Sequence, residues 1–295
     1  MNPELCSREI PDVAIFEEGP GGLPVLDITS PVAEARIFLL GAQLSHWRPH
    51  GVQPVIFMSS KSAFEEGKAI RGGVPVCAPW FGPRAGLPAH GFLRNRSWNL
   101  AELRLEADET VRSVFLTASD AATRLLWPHD FAATLICTVG QTLTLELEIE
   151  NTSAETFTFS EALHTYFVVG DVRQSVVTGL EGASYRDFPD RSQLKQQHGP
   201  IHFVEETDRI YVNTQAACML EDPVMQRKIL VEKSGSHTTT VWNPWVAKSA
   251  AMPDFGDNEW PGMVCIETAN AAENSVRLDP GARHRMSTRI RVEPL

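Results

Sequence analysis

The feature that most constrains the fold of this 295-residue chain is a hydrophobic period of two. From Thr142 to Glu150, Leu143, Leu145, Leu147 and Ile149 fall on one side and Thr144, Glu146 and Glu148 on the other. That is the pattern of an antiparallel strand with one buried and one wet face. Asn151-Thr152-Ser153 supplies turn chemistry, and from Thr156 to Phe167 the alternation resumes with Phe157 and Phe159 on one face. Near the carboxyl end Met286, Thr288, Ile290 and Val292 alternate against Ser287, Arg289 and Arg291. Helical periods are scarce. Two candidates, Ser62 to Lys68 and Ala121 to Arg124, are too short to cover a sheet. No Gly/Ser- or Pro-rich linker divides the chain, and no fixed-period repeat runs through it. These signs predict an all-β fold, a large antiparallel β-sandwich or barrel, as one domain over residues 1–295.

Charge narrows the possible partners. The chain has 26 Lys+Arg against 37 Asp+Glu, a net charge of −11. This argues against non-specific binding to nucleic acid or to an anionic membrane, which need a basic footprint. Met1 to Asp12, with Pro3, Glu4, Glu9 and Pro11, does not read as a secretory leader, and no stretch approaches the length of a membrane span. The five cysteines are scattered and never form C-x-x-C. They read as small buried hydrophobes in a reducing cytoplasm rather than as a disulfide framework or zinc ribbon. His46-x-x-x-His50 contains Pro49, and on a strand Glu161-x-x-His164 points to opposite faces, so no metal site is expected. Neither a nucleophile elbow nor a phosphate-binding P-loop occurs.

One window stands apart. Between Glu66 and Glu102 there is no acidic residue, yet it holds Lys68, Arg71, Arg84, Arg94 and Arg96. Such segregation in an acidic protein suits an anionic ligand, and arginine's planar fork matches phosphate. Gly72 and Gly73 follow Arg71 and would let backbone N–H groups approach a ligand. Trp80, Phe81 and Phe92 offer surface for a sugar ring. The other reading is a basic loop whose arginines pair with carboxylates elsewhere.

Two titratable residues lie in segments too apolar for surface loops. Strict alternation puts His164 with Thr158, Ser160, Ala162 and Tyr166, opposite Phe157 and Phe159. It is either a ligand-facing proton donor or a core histidine bonded to a backbone carbonyl. Glu267 follows Met263-Val264-Cys265-Ile266. It is either a base with a raised pKa or one partner of a buried salt bridge.

Arg71-Gly72-Gly73-Val74-Pro75, Leu87-Pro88-Ala89-His90-Gly91-Phe92-Leu93-Arg94-Asn95, Glu161-Ala162-Leu163-His164, Val241-Trp242-Asn243-Pro244-Trp245 and Cys265-Ile266-Glu267 occur in that order. Together they resemble the hexose-6-phosphate mutarotases (glucose-6-phosphate 1-epimerases) of the aldose-1-epimerase-like superfamily, from about Gly41 to the carboxyl end. The resemblance implies a galactose mutarotase-like supersandwich with its site in a groove across one sheet. It implies His164 as general acid, Glu267 as general base, Arg71 and Arg94 as phosphate and sugar contacts, and Asp208 as an acceptor for a sugar hydroxyl. His90 and Trp245 fall in motifs bordering the pocket. At Ala89 some family members carry a ligand-contacting glutamine, so a side-chain contact is missing there.

The implied reaction is interconversion of the α and β anomers of a hexose 6-phosphate by a cytoplasmic monomer without cofactor or metal. Two further readings remain open at this level. One is a non-catalytic sugar-phosphate binding or sensor protein; the other is a carbohydrate hydrolase or lyase on the same sandwich. Hydrolysis usually takes two carboxylates, and only one well-placed glutamate is evident. Whether Lys68, Arg84 or Arg96 joins the anion site stays open.

Overall fold

The computed structural model describes residues 3–295. Strand-forming alternation organises the chain into antiparallel sheets. Four strands, Ala14–Glu18, Pro24–Thr29, Ala33–Phe38 and Gln43–Pro49, pair in chain order at the amino-terminal side. A nine-stranded sheet has at its centre Arg227–Ser234, Arg283–Pro294, Thr142–Asn151 and Phe131–Val139. An eight-stranded sheet runs Gln193–Gln196, Ser184–Asp187, Thr207–Val212, Thr238–Asn243, Met263–Asn270, Glu161–Leu163, Val76–Cys77, with Tyr166–Val168 also pairing Met263–Asn270.

The apolar rows read from the sequence form the core. Leu143, Leu145, Leu147, Ile149, Met286 and Ile290 of the nine-stranded sheet join Leu163, Tyr211, Val241, Val264 and Ile266 of the eight-stranded sheet in one buried cluster. Burying a side chain of this size stabilises by roughly 1.5–3 kcal/mol, so interdigitating two such rows fixes both sheet faces. The wet face of Thr142–Asn151 is laced to its neighbour, with Arg285 donating to Glu148 at 2.8 Å and Arg283 to Glu150 at 3.0 Å. The result is an antiparallel β-sandwich. Among the described residues no helix is long and apolar enough to cross a membrane.

Two local expectations are corrected. Ser62 to Lys68 forms turns rather than a helix, because its chain runs back to hydrogen-bond Ser59 and Arg71. Ala121–Leu126 is helical, capped by Asp120 and Thr123 in a reciprocal box. The second correction concerns Thr156 to Phe167, which is three short strands instead of one. Phe157–Phe159 leaves to pair with Val276–Leu278 in a separate ladder, so Thr158 does not share a face with His164. Glu161–Leu163 and Tyr166–Val168 both pair with Met263–Asn270, and the chain loosens between them at His164 and Thr165.

Candidate active site

The loosened pair keeps its register. Leu163 lies opposite Thr268, and Tyr166 lies opposite Cys265, so the intervening His164 stands across from Glu267. On the other flank Glu267 is paired with Thr240. The pleat therefore sends His164, Glu267 and Thr240 to one face, away from the core cluster. His164 Nε2 lies 3.4 Å from Glu267 Oε1, and the residues are only 6% and 1% exposed. The His164 ring stacks on Tyr166, with centroids 4.7 Å apart, and meets Trp242 edge-on at 6.1 Å.

Burial decides the charge state of this pair. It pushes Glu267 well above the ordinary carboxylate range, aided by the nearby Asp208 carboxylate and opposed by Arg94. It also holds His164 well below an ordinary imidazole, with His90, Arg94 and Arg71 acting in the same direction. An exposed ion pair would shift both groups the other way. Desolvation wins here and works against the charged form of each group.

The basic window divides on inspection. Arg71 is held by Asp254, with Nε and Nη2 donating to the carboxylate at 3.0–3.2 Å, and its Nη1 donates to Tyr166 Oη at 3.0 Å. Gly72 and Gly73 do not face a ligand. A Cβ on Gly72 would sit 2.6 Å from the Phe57 carbonyl and one on Gly73 2.4 Å from the Leu44 carbonyl, so both glycines exist to let protein backbones pass. Arg94 differs from the other cations. It is 8% exposed, donates from Nη2 to the Ala89 carbonyl at 2.9 Å, has an unbonded Nε, and forms no ion pair among the described residues. Lys68 pairs with Glu65, Arg96 with Asp120, and Arg84 lies over the Trp80 ring. The pairing reading holds for Lys68 and Arg96 but not for Arg84, and none of the three is among the charges acting on His164 or Glu267.

The remaining candidates surround this core. Gly91, at φ +72°, packs against the Ala78 carbonyl and turns the preceding His90 toward His164, their rings 5.6 Å apart. His90 Nδ1 accepts from Gly82 N at 3.3 Å, and burial with Arg94, Arg71 and Lys248 lowers its pKa to about 3. Its proton therefore resides on Nε2 of a neutral ring. Asp208, opposite Trp242 in the register, receives Lys248 Nζ at 3.1 Å; burial still raises its carboxyl above the usual range. Trp245 opens the helix Trp245–Ala251, and its ring lies on Trp260, with centroids 4.3 Å apart. Trp242, rather than Trp245, meets the histidine. Alternation places Tyr166 beside His164, while sequence reasoning missed Asp254, Trp242, Thr240 and Lys248. The aromatic-rich Val241-to-Trp245 stretch was the available signal, and alternation from Thr240 identifies Trp242 as the residue on the Glu267 face.

Two other features bear on the assignment. A cavity of about 790 Å³ lies on the amino-terminal sheet beside Asp27, Arg36, Glu34 and Phe64. Arg36 pairs with Asp27 and Arg48 with Glu34 there, and none of the buried unbonded atoms found among the described residues lies in its lining. Of the twelve buried side-chain polar atoms without a hydrogen bond among the described residues, four belong to this site: His164 Nδ1, Glu267 Oε2, Thr240 Oγ1 and Arg94 Nε. Buried polar atoms rarely go unpaired, and a cluster of them marks a place built for another molecule's polar groups. His164, Cys265 and Glu267 also bring donor atoms within 4.8 Å of one another, a spacing that could hold a metal ion. The guanidinium charges acting on the pair oppose a dication, and burial keeps the Cys265 thiol protonated.

Residues 24–291 match the aldose 1-epimerase family. A candidate glucose-6-phosphate 1-epimerase of Escherichia coli (strain K12) is 39% identical over 253 residues, covering 85% of this chain and 84% of that protein. The chain belongs to the aldose 1-epimerase family, on its glucose-6-phosphate 1-epimerase branch. Among solved structures of the family, a candidate mutarotase from Salmonella typhimurium superposes with a TM-score of 0.91 at 33% identity, covering 98% of this chain and 96% of that one. The galactose 1-epimerase of Lactobacillus acidophilus NCFM shares the fold, with a TM-score of 0.73 at 12% identity over 95% and 98% of the two chains.

Proposed function

We propose that the protein interconverts the α and β anomers of a hexose 6-phosphate, glucose 6-phosphate first among them. The observation that carries this reading is the cross-strand His164–Glu267 pair, with unbonded buried atoms on the pair and on Thr240, and with Arg94, which forms no ion pair among the described residues, acting on both groups. Anomer exchange needs a base for the C1 hydroxyl and an acid for the ring oxygen. One imidazole and one carboxylate sharing a proton supply both, each worth roughly 10²–10⁴ in rate.

Glu267 takes the proton from the hydroxyl on C1, the C1–O5 bond breaks, and His164 delivers a proton to O5. The aldehyde rotates about C1–C2, and ring closure reverses the transfers. C6 is attached to C5, which bears the ring oxygen, so a 6-phosphate sits on the same side as the atom that His164 protonates. Arg94, with Arg71 behind it, takes that phosphate. The dianion also offsets the two guanidinium charges that hold His164 down, favouring its imidazolium form. Asp208 and His90 hold sugar hydroxyls.

The test is exchange NMR on α-glucose 6-phosphate, with glucose and glucose 1-phosphate alongside. His164→Ala and Glu267→Gln each abolish accelerated exchange while phosphate-sugar binding persists. Equal turnover of free glucose would refute the phosphate assignment. Binding by the native protein with no acceleration would mean a sensor, and release of reducing ends from an oligosaccharide would mean a hydrolase.

A further inference from the structure

We infer that Thr240 is a third group at the reacting carbon, its hydroxyl donating a hydrogen bond to O1 of the sugar while Glu267 takes the proton from that oxygen. This rests on the assignment of Glu267 as the base. Thr240 lies directly opposite Glu267 in the ladder, and its side chain is on the face that carries the pair. It is 2% exposed, yet Oγ1 has no hydrogen bond, and the facing Glu267 Oε2 has none either. Side chains opposite each other in such a pair stand about 4.5–5.5 Å apart at Cβ. Two buried polar atoms on directly opposed residues, neither bonded within the described protein, can both be satisfied by one hydroxyl that donates to the carboxylate and accepts from the threonine.

The chemistry rewards that arrangement. As Glu267 removes the O1 proton and the C1–O5 bond breaks, negative charge passes through O1 before the carbonyl forms. On ring closure the same oxygen regains charge as O5 attacks the aldehyde. A fixed donor at O1 stabilises both crossings and requires no further reactant. Other groups around Glu267 cannot take this part. His164 serves the ring oxygen and Tyr166 Oη is taken by Arg71, whereas Thr240 is the residue paired with Glu267 on the flank away from the histidine. Arg94 and Arg71 are committed to the phosphate side.

Thr240→Val keeps the shape and removes the donor. Anomer exchange of glucose 6-phosphate should fall about a hundredfold. The melting temperature should hold or rise, because an unbonded buried hydroxyl is replaced by methyl. Binding of 1,5-anhydroglucitol 6-phosphate, which lacks O1, should be unchanged, and Thr240→Ser should restore most of the rate. Native exchange in the valine variant, equal losses in the valine and serine variants, or a matching loss of 1-deoxy analogue binding would overturn the inference. Should the valine variant fail to fold, Thr240→Ala against Thr240→Ser carries the same comparison. Glu267→Gln measured alongside separates the two levels. An active glutamine variant sinks the base assignment and this inference together, whereas an inactive one beside a native-like valine variant sinks this inference alone.

Discussion

Replacing Arg94 by methionine tests the anion site through two quantities that should move in opposite directions. In the ligand-free protein the guanidinium is 8% exposed, bonded through Nη2 to one carbonyl, free at Nε, and without a carboxylate partner among the described residues. A desolvated charge in that state costs the fold, so removing it at similar volume should leave the melting temperature unchanged or raise it. Ala89, whose carbonyl loses its donor, is exposed and can turn to water. A charge-assisted hydrogen bond is worth roughly 1.5–3 kcal/mol. At about 1.4 kcal/mol per tenfold, losing one such bond to phosphate weakens hexose 6-phosphate binding by about ten- to a hundredfold. Titration calorimetry with glucose 6-phosphate, with glucose as the control, reads the affinity, and differential scanning calorimetry reads the melting temperature. A clear drop in melting temperature with unchanged phosphate-sugar affinity would make Arg94 a structural residue. Equal weakening for glucose and its 6-phosphate would refute the phosphate contact.

Other outcomes follow from groups already placed. The pH dependence of exchange should be bell-shaped, falling on the acid side as His164 takes up a second proton and on the alkaline side as Glu267 gives up the last one; a flat profile in the native enzyme would deny the shared proton. Burial works to lower the pKa of His284, but its hydrogen bond to the buried Glu161 carboxylate, at 3.0 Å, outweighs this and leaves it raised above 6.5. Its contribution to stability should be complete below pH 6.5 and be lost as pH rises through the folded-state value; urea unfolding of His284→Asn should lack that loss. Gly91→Ala should destabilise by roughly 2–4 kcal/mol in the same assay. Its Cβ would fall 2.0 Å from the Ala78 carbonyl at φ +72°, and the forced shift carries His90 and Arg94 with it, so activity should drop as well.

Much of this arrangement can be read from local sequence. The leucine row of Thr142 to Glu150 is a strand because half its side chains need a core and half need water, and that requirement is met within ten residues. His164 and Glu267 could be singled out because a titratable group in an apolar segment demands a partner. The partner of Arg71 could not, since Asp254 lies 183 residues away in a stretch with no periodicity. Gly72 and Gly73 misled for the same reason. A positive-φ glycine signals a close approach, and here the approaching atoms belong to the Phe57 and Leu44 backbones rather than to a ligand. The break at His164 was hidden because alternation continues unchanged through it, although the hydrogen-bonded ladder does not.

The histidine and the glutamate meet because two segments roughly a hundred residues apart dock side by side, a contact of high sequence separation whose loop-closure entropy is met late. Neither segment alone carries the pair. Regain of anomer exchange during refolding would therefore clock the zipping of these two segments, trailing the return of strand signal in circular dichroism, and the substrate would report completion of a long-range pairing.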